Sequence, residues 1–220
     1  MKRLLTTMIA LTLCAATFAQ YNSGGFAMDG DHMYYGIRFG VNRSHIAADR
    51  HNDLDGRTGM TLGGVVGLRC SNSTPVFLES GLYYTERGGK KFVNHYGDVQ
   101  TRLSYLELPV LIKYGITLNP SVFDTNELVL LPFVGPTFAF GVGGKTKITD
   151  IDGERHKHDA FGSKDNRYKR FDMGFKFGVG LEYNMLYLEL GYQLGVANIS
   201  NDDNYDAHNR NFFCNVGINF

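Results

Sequence analysis

The residues best suited to chemistry in this chain are seven histidines and the aspartates that accompany them. His45 and His51 lie near Asp49, Asp53 and Asp55, and His95 near Asp98. His156 and His158 lie near Asp150, Asp152 and Asp159, and His208 near Asp202, Asp203 and Asp206; His32 stands apart. Imidazole nitrogen and carboxylate oxygen together suit a divalent cation, and the densest set is Asp152, His156, His158 and Asp159. Water-exposed loops are rich in such residues without any metal, so no resident metal or cofactor is expected. Asp53-x-Asp55-Gly56 has the spacing of the middle of an EF-hand loop, but His51 and Leu62 would stand where that loop needs its first and last oxygen ligands.

Nucleophilic chemistry is no better supported. Ser44 and His45 are adjacent, a poor spacing for a nucleophile and its base, and no Ser/His/Asp set gathers elsewhere. Glu107 and Glu182 could form a carboxylate pair, yet enough basic residues share their pattern to make them structural ion pairs. No catalytic residue is assigned, and the chain is expected not to be an enzyme.

The elements that carry these residues begin after an export signal. Met1, Lys2 and Arg3 are followed by an apolar run, and Thr17-Phe18-Ala19 is a small-x-small cleavage pattern, so residues 1–19 read as a signal peptide and residues 20–220 as one domain. A lipoprotein signal would want a small residue at Leu13, so lipidation at Cys14 is the minor alternative. The chain has 22 basic and 22 acidic residues, a balance that offers nucleic acid no basic surface. Cys70 and Cys214 remain after cleavage; they read as small apolar residues, and whether they pair is open. No later stretch reaches the roughly 18 apolar residues a membrane helix needs.

A period of two runs through the domain instead. Eight segments alternate: Tyr35 to Val41, Met60 to Leu68, Val76 to Tyr84, Leu106 to Ile116, Val129 to Val142, Phe171 to Tyr183, Leu186 to Val196 and Phe212 to Phe220. The fifth is apolar on both faces and carries Pro132 and Pro136, so its phase is open. Between segments, residues 43–58, 86–102, 143–169 and 197–210 read as long polar loops holding every histidine but His32. Residues 70–75 and 117–127 are shorter, and Asn184-Met185 is a tight turn. Long loops alternating with short turns fit an up-and-down transmembrane barrel, whose strands cross lipid with about 9–11 alternating residues and whose long loops face outward. An even strand number then leaves both termini in the periplasm.

The less apolar face decides between lipid and water outside. It carries Gly36, Gly40, Gly63, Gly67, Gly81, Gly174, Gly178, Gly180, Gly191, Gly195 and Gly217. Glycine weakens a solvated strand, but a narrow eight-stranded barrel needs small residues among the large ones that fill it. The same face carries Arg38, Arg69, Lys113 and Lys176 with Glu79, Glu107, Glu182, Glu189 and Asp172, near the balance that confined charges require. The opposite face carries no charge. The expected fold is all-β, an eight-stranded antiparallel up-and-down transmembrane β-barrel with an internal ion network.

Tyr105-Leu106-Glu107-Leu108-Pro109-Val110-Leu111-Ile112-Lys113-Tyr114 resembles the YLEIPLLLKY strand of the PorT-like outer-membrane β-barrel proteins of Bacteroidota. Gly36-Ile37-Arg38-Phe39-Gly40-Val41-Asn42, Glu79-Ser80-Gly81-Leu82-Tyr83-Tyr84 and Pro132-Phe133-Val134-Gly135-Pro136 are similar to further pieces of that family. The resemblance implies a barrel in the cell outer membrane; most members have no assigned activity, and one branch is similar to a factor of type IX protein secretion.

The function expected is therefore a structural anchor or binding protein acting through its extracellular loops. A secretion component and a small-solute pore are the alternatives, the pore disfavoured because side chains fill an eight-stranded lumen. Expected partners are outer-membrane lipid and lipopolysaccharide, a surface or secretion-machinery protein, and the barrel-assembly machinery, which would read the terminal Phe220 during insertion. Lys145, Lys147, Arg155, Lys157, Lys164, Arg167, Lys169 and Arg170 form a basic third loop that could meet lipopolysaccharide phosphates.

Overall fold

The computed structural model describes residues 33–48, 54–71, 73–93, 97–118, 128–149, 155–162, 168–201 and 206–220, so residues 1–19 lie outside it. Its regular elements are ten strands: β1 (Met33–Ala48), β2 (Leu54–Arg69), β3 (Val76–Val93), β4 (Gly97–Tyr114), β5 (Ile116–Thr117), β6 (Leu128–Thr149), β7 (Arg155–Asp159), β8 (Phe171–Tyr183), β9 (Leu186–Gly195) and β10 (Ala207–Asn219). Eight of them are the staves of a closed antiparallel barrel. The order β4-β3-β2-β1-β10-β9-β8-β6 is joined into a ring by the β4–β6 pairing. The short β5 follows β4 after Gly115 and pairs with β6, while β7 folds back on the far part of β6.

Closure places the first and last staves side by side, with a register from Gly36↔Asn219 to Ala48↔Ala207. Tyr35 and Phe220 exchange backbone hydrogen bonds of 3.2 and 2.7 Å at its edge, and Asn219 N–H donates to Met185 O at 2.9 Å. The start of β1, the end of β10 and the Asn184-Met185 turn therefore share one end of the barrel, here the terminal end. Asn184 takes φ 55°, a left-handed conformation that asparagine tolerates and that lets two residues join β8 to β9.

Side-chain direction inverts that of a water-soluble protein. Phe39 is 51% exposed while its neighbour Arg38 is fully buried. Ile37, Leu62, Leu82, Ile112, Phe175, Leu190 and Val216 share the outer face with Phe39 and carry no charge between them. An apolar surface of this extent belongs in lipid. The phase of β6 is settled: Val129, Leu131, Phe133, Thr137 and Ala139 turn inward, and Pro132, Val134, Phe138 and Phe140 turn outward.

Large rings on one stave lie over glycine on the next. A Cβ at Gly67 would overlap the Tyr34 ring, at Gly63 that of Tyr83, at Gly191 that of Phe213 and at Gly180 that of Tyr187. The inward glycines thus leave room for aromatics that fill the lumen.

The strands outrun the apolar alternation. Residues 43–48, 86–93, 97–102, 143–149 and 207–210, expected in loops, continue β1, β3, β4, β6 and β10 away from the terminal end, and β2 begins at Leu54. His45, His156, His158 and His208 are accordingly strand residues, not loop residues; His32, His51 and His95 lie outside the described residues. The physical reason is that an antiparallel ladder needs only backbone partners, whereas apolar alternation reports contact with lipid. Gly88 sits in one such extension at φ 142°, its N–H and C=O held by Ser44 Oγ at 2.9 and 3.0 Å. Cys70 and Cys214 are free thiols, the first exposed beyond β2 and the second half-buried on β10.

If the apolar face meets lipid, Val216→Arg, which puts a cation on the β1–β10 seam, should destabilise the barrel by about 2–4 kcal/mol. Denaturant unfolding in lipid vesicles, read by the gel mobility of unheated protein, measures this. Unchanged stability would place that face elsewhere.

Candidate functional site: a charged lumen and a cationic rim

Alternation aims charged side chains from five staves, β1, β3, β4, β8 and β9, into one narrow space, where they form two groups. Nearer the terminal end, Glu79 receives Lys113 at 2.8 Å and Arg38 at 3.5 Å, and Tyr34 donates its hydroxyl to the same carboxylate at 2.6 Å. Lys113 also donates to Tyr187 Oη at 2.7 Å, and Glu189 accepts from Tyr187 at 3.2 Å and from Asn215 at 2.6 Å. The Arg38 guanidinium lies 3.9 Å from the centre of the Tyr187 ring.

The second group centres on Arg87. Its guanidinium pairs with Glu107, donates to Asp172 at 3.0 Å and to Gln193 Oε1 at 3.0 Å, and lies over the Tyr105 ring. Asn209 donates to Asp172 at 2.8 Å. Lys176 stands 3.7 Å from Glu107 and lies over the rings of Phe213 and Tyr83. Each group holds two cations (Arg38 and Lys113; Arg87 and Lys176) and two carboxylates (Glu79 and Glu189; Glu107 and Asp172), so each is formally neutral.

Apolar side chains complete the filling. Tyr34, Phe77, Val129, Leu131 and Tyr187 pack together toward the terminal end, and Leu111, Phe133 and Phe213 form a middle cluster. At the other end Ile46, Leu103, Tyr105, Ala139, Ala160, Phe161, Ile199 and Ala207 form a cap, with the Tyr105 and Phe161 rings edge to face at 5.5 Å.

Outside the wall, beyond the apolar band, a cleft of about 680 Å³ opens between the extensions of β3, β4 and β6. Arg57, Arg102, Lys145, Lys147 and Lys157 line it with a single carboxylate, Glu86. Arg102 donates to both Glu86 oxygens, at 2.6 and 2.7 Å, and Arg57 stands 3.9 Å from the same group. The hydrogen bond to Glu86 raises the Arg102 pKa above its ordinary value. Desolvation, and then repulsion from Arg102, pulls that of Arg57 down. One carboxylate serves two guanidinium groups, and cations are left in excess.

A family model for the outer membrane protein beta-barrel domain matches residues 18–201. The chain belongs to that family. Among solved structures it is similar to Neisserial surface protein A, with 13% identity over 84% of this chain and 97% of that one and a TM-score of 0.50, a likeness that shows the fold. It also aligns with Ail of Yersinia pestis, in complex with the heparin analogue sucrose octasulfate, at 16% identity, 86% and 100% coverage and a TM-score of 0.43. The outer membrane protease OmpT of Escherichia coli aligns at 9% identity, 88% and 99% coverage and a TM-score of 0.32. No curated protein matches the chain in sequence.

Within this outer-membrane barrel, the expected ion network is assembled from Arg38, Glu79, Glu107, Lys113, Lys176 and Glu189. Glu182 is also buried, but it accepts from Asn219 on β10. Arg69, expected in the network, is only half-buried at the end of β2, where Nε donates to Ser71 O at 3.0 Å. Its strand stops there, so its long side chain reaches the rim. Arg87 is the network residue that sequence reading passes over, because it follows the last outward apolar residue of β3. The signal was its parity: it continues the inward series Glu79, Gly81, Tyr83, Thr85. Of the metal candidates, Asp152 lies outside the described residues. β7 puts His156 and His158 on one face and Asp159 on the other, by the two-residue period of a strand. Ser44 is buried in the lumen, and His45 takes the opposite face.

Removing one partner of a buried pair typically costs about 3–5 kcal/mol. Lys113→Ala and Glu79→Gln should each destabilise the barrel strongly, while the double variant should fall short of their sum by more than about 1 kcal/mol. Urea unfolding of the four proteins in vesicles measures the coupling. Strict additivity would mean that the two side chains do not meet in the lumen.

Proposed function

We propose that this protein is a non-enzymatic outer-membrane anchor that meets lipid and protein partners through the end of the barrel opposite its termini. In this reading that end faces outside the cell and both termini lie in the periplasm. The observation that carries it is the division of the barrel along its axis. The lumen is filled by ion pairs and capped by the Phe161 cluster, whereas the opposite end projects strand beyond the apolar band and gathers charge on its surface.

A filled lumen argues against the solute pore, since each inward charge already has a partner and an entering solute would have to displace rings and ion pairs together. It argues against catalysis too: Glu107 and Glu182 hold different partners, and Ser44 is committed to the backbone of Gly88. A role in type IX secretion is the second reading, supported by the resemblance of residues 105–114 to the PorT-like strand.

An epitope inserted between Asn201 and Asp206 should be labelled on intact cells, and one after Phe220 only after permeabilisation. The reverse pattern would overturn the orientation. Purified protein in a planar bilayer should pass no steady current; an ohmic conductance would restore the pore. Loss of a secreted cargo on gene deletion, rescued by the wild-type chain, would favour the secretion reading.

A further inference from the structure

The cationic cleft has a setting that the basic residues alone do not reveal. Pairing across β3, β4 and β6 aligns outward side chains in rows. The last apolar row is Tyr84–Leu106–Phe140. The next away from the terminal end is Glu86–Ser104–Gly143, then Arg102–Lys145, then Gln100–Lys147, with Lys157 of β7 beside Lys147. Successive rows lie about 7 Å apart, two residues of strand rise. Cations therefore begin within about two rows of the lipid-facing surface, and they point sideways from the wall rather than along the barrel axis.

The register also explains why a cleft is there. Between Tyr105↔Gly141 and Ser104↔Gly143 the pairing slips by one residue, a bulge that turns Gly143, Lys145 and Lys147 outward. A Cβ at Gly143 would meet no atom within 4 Å, so the floor of the cleft is open. Glu86 is engaged by Arg102 and Arg57, and Asp159 is the cross-strand neighbour of Lys145. Among the described residues, Lys145, Lys147 and Lys157 have no carboxylate within ion-pair distance.

We infer that this cleft seats the phosphorylated headgroup of an outer-leaflet glycolipid, with the lysines and Arg102 on its phosphates and its acyl chains along Tyr84, Leu106 and Phe140. The lateral direction and the apolar row directly below distinguish this ligand from a soluble polyanion, which would need no acyl-chain surface. Basic pockets at the headgroup level of a membrane protein bind lipid phosphate in this way.

The test uses the full mature chain purified in a zwitterionic detergent, with bisphosphorylated lipid A, its dephosphorylated form, and inorganic phosphate as probes. Binding is read by native mass spectrometry. Bisphosphorylated lipid A should bind at least about tenfold more tightly than the other two, a gap of about 1.4 kcal/mol. The Lys145→Ala/Lys147→Ala variant leaves the Arg102–Glu86 pair in place, and Gly143→Phe fills the cleft without changing charge. Each should lose most of that preference while keeping the heat-modifiable gel mobility of the folded barrel. Arg43→Ala/Arg210→Ala, which removes two exposed cations outside the cleft, should keep it.

Equal retention of lipid A by folded Lys145→Ala/Lys147→Ala or Gly143→Phe would overturn the site. Phosphate binding as tight as lipid A would overturn the lipid and leave a free-anion site. Because the site presupposes the orientation proposed above, the two are read separately: binding in detergent is blind to orientation, and surface labelling of the epitope is blind to the cleft.

Discussion

Hydrocarbon offers no hydrogen-bond partner, so a sheet that crosses it must return on itself. The pairing of β1 with β10, from Gly36↔Asn219 to Ala48↔Ala207, meets this requirement and conditions the other features of the barrel. Without it two edges of unpaired backbone would face lipid. With it every stave has two neighbours, one face of each turns outward, and the other is confined to a lumen wide enough only for side chains. Apolar outside, small and polar inside, and an interior of nearly matched charges all follow from a closed ring of eight.

Confinement governs the charges. Buried ion pairs contribute little net stability, because desolvation offsets attraction, but a partner removed leaves a costly charge behind. The lumen meets that condition group by group. Arg38 and Lys113 are matched by Glu79 and Glu189, and Arg87 and Lys176 by Glu107 and Asp172. Aromatic rings do a second task beyond filling space: Tyr187 lies under Arg38 and accepts from Lys113, and Phe213 lies beside Lys176. Those rings fit because glycine occupies the adjoining stave. Ion network and glycine pattern are thus one packing solution.

The axis of the barrel separates its tasks. The membrane-crossing section carries neutral, self-contained charge groups. Past the apolar band the strands continue, and there cations outnumber carboxylates and face outward around the Gly143 cleft. The Tyr105–Phe161 cap lies between the lumen and that end. Such a layout suits a protein that presents a surface more than one that conducts or catalyses.

The sequence by itself determined the class of fold, the strand number, the faces of seven staves and most of the lumen charges. It could do so because lipid on one side and a confined lumen on the other impose a period of two that is legible residue by residue. The apolar-on-both-faces β6 escaped that reading: its inward Val129, Leu131 and Phe133 fill the lumen and look no different from lipid-facing residues. Only the tertiary structure decided how far the strands extend, because hydrogen-bonded ladders continue where apolar alternation has ended. That extension brought Arg87 into the centre of the second ion group and made strand residues of four histidines. The slip at Gly143 likewise set Lys145 and Lys147 beside Arg102, some forty residues earlier in the chain. Register between distant strands is a property of the closed ring, and no local pattern encodes it.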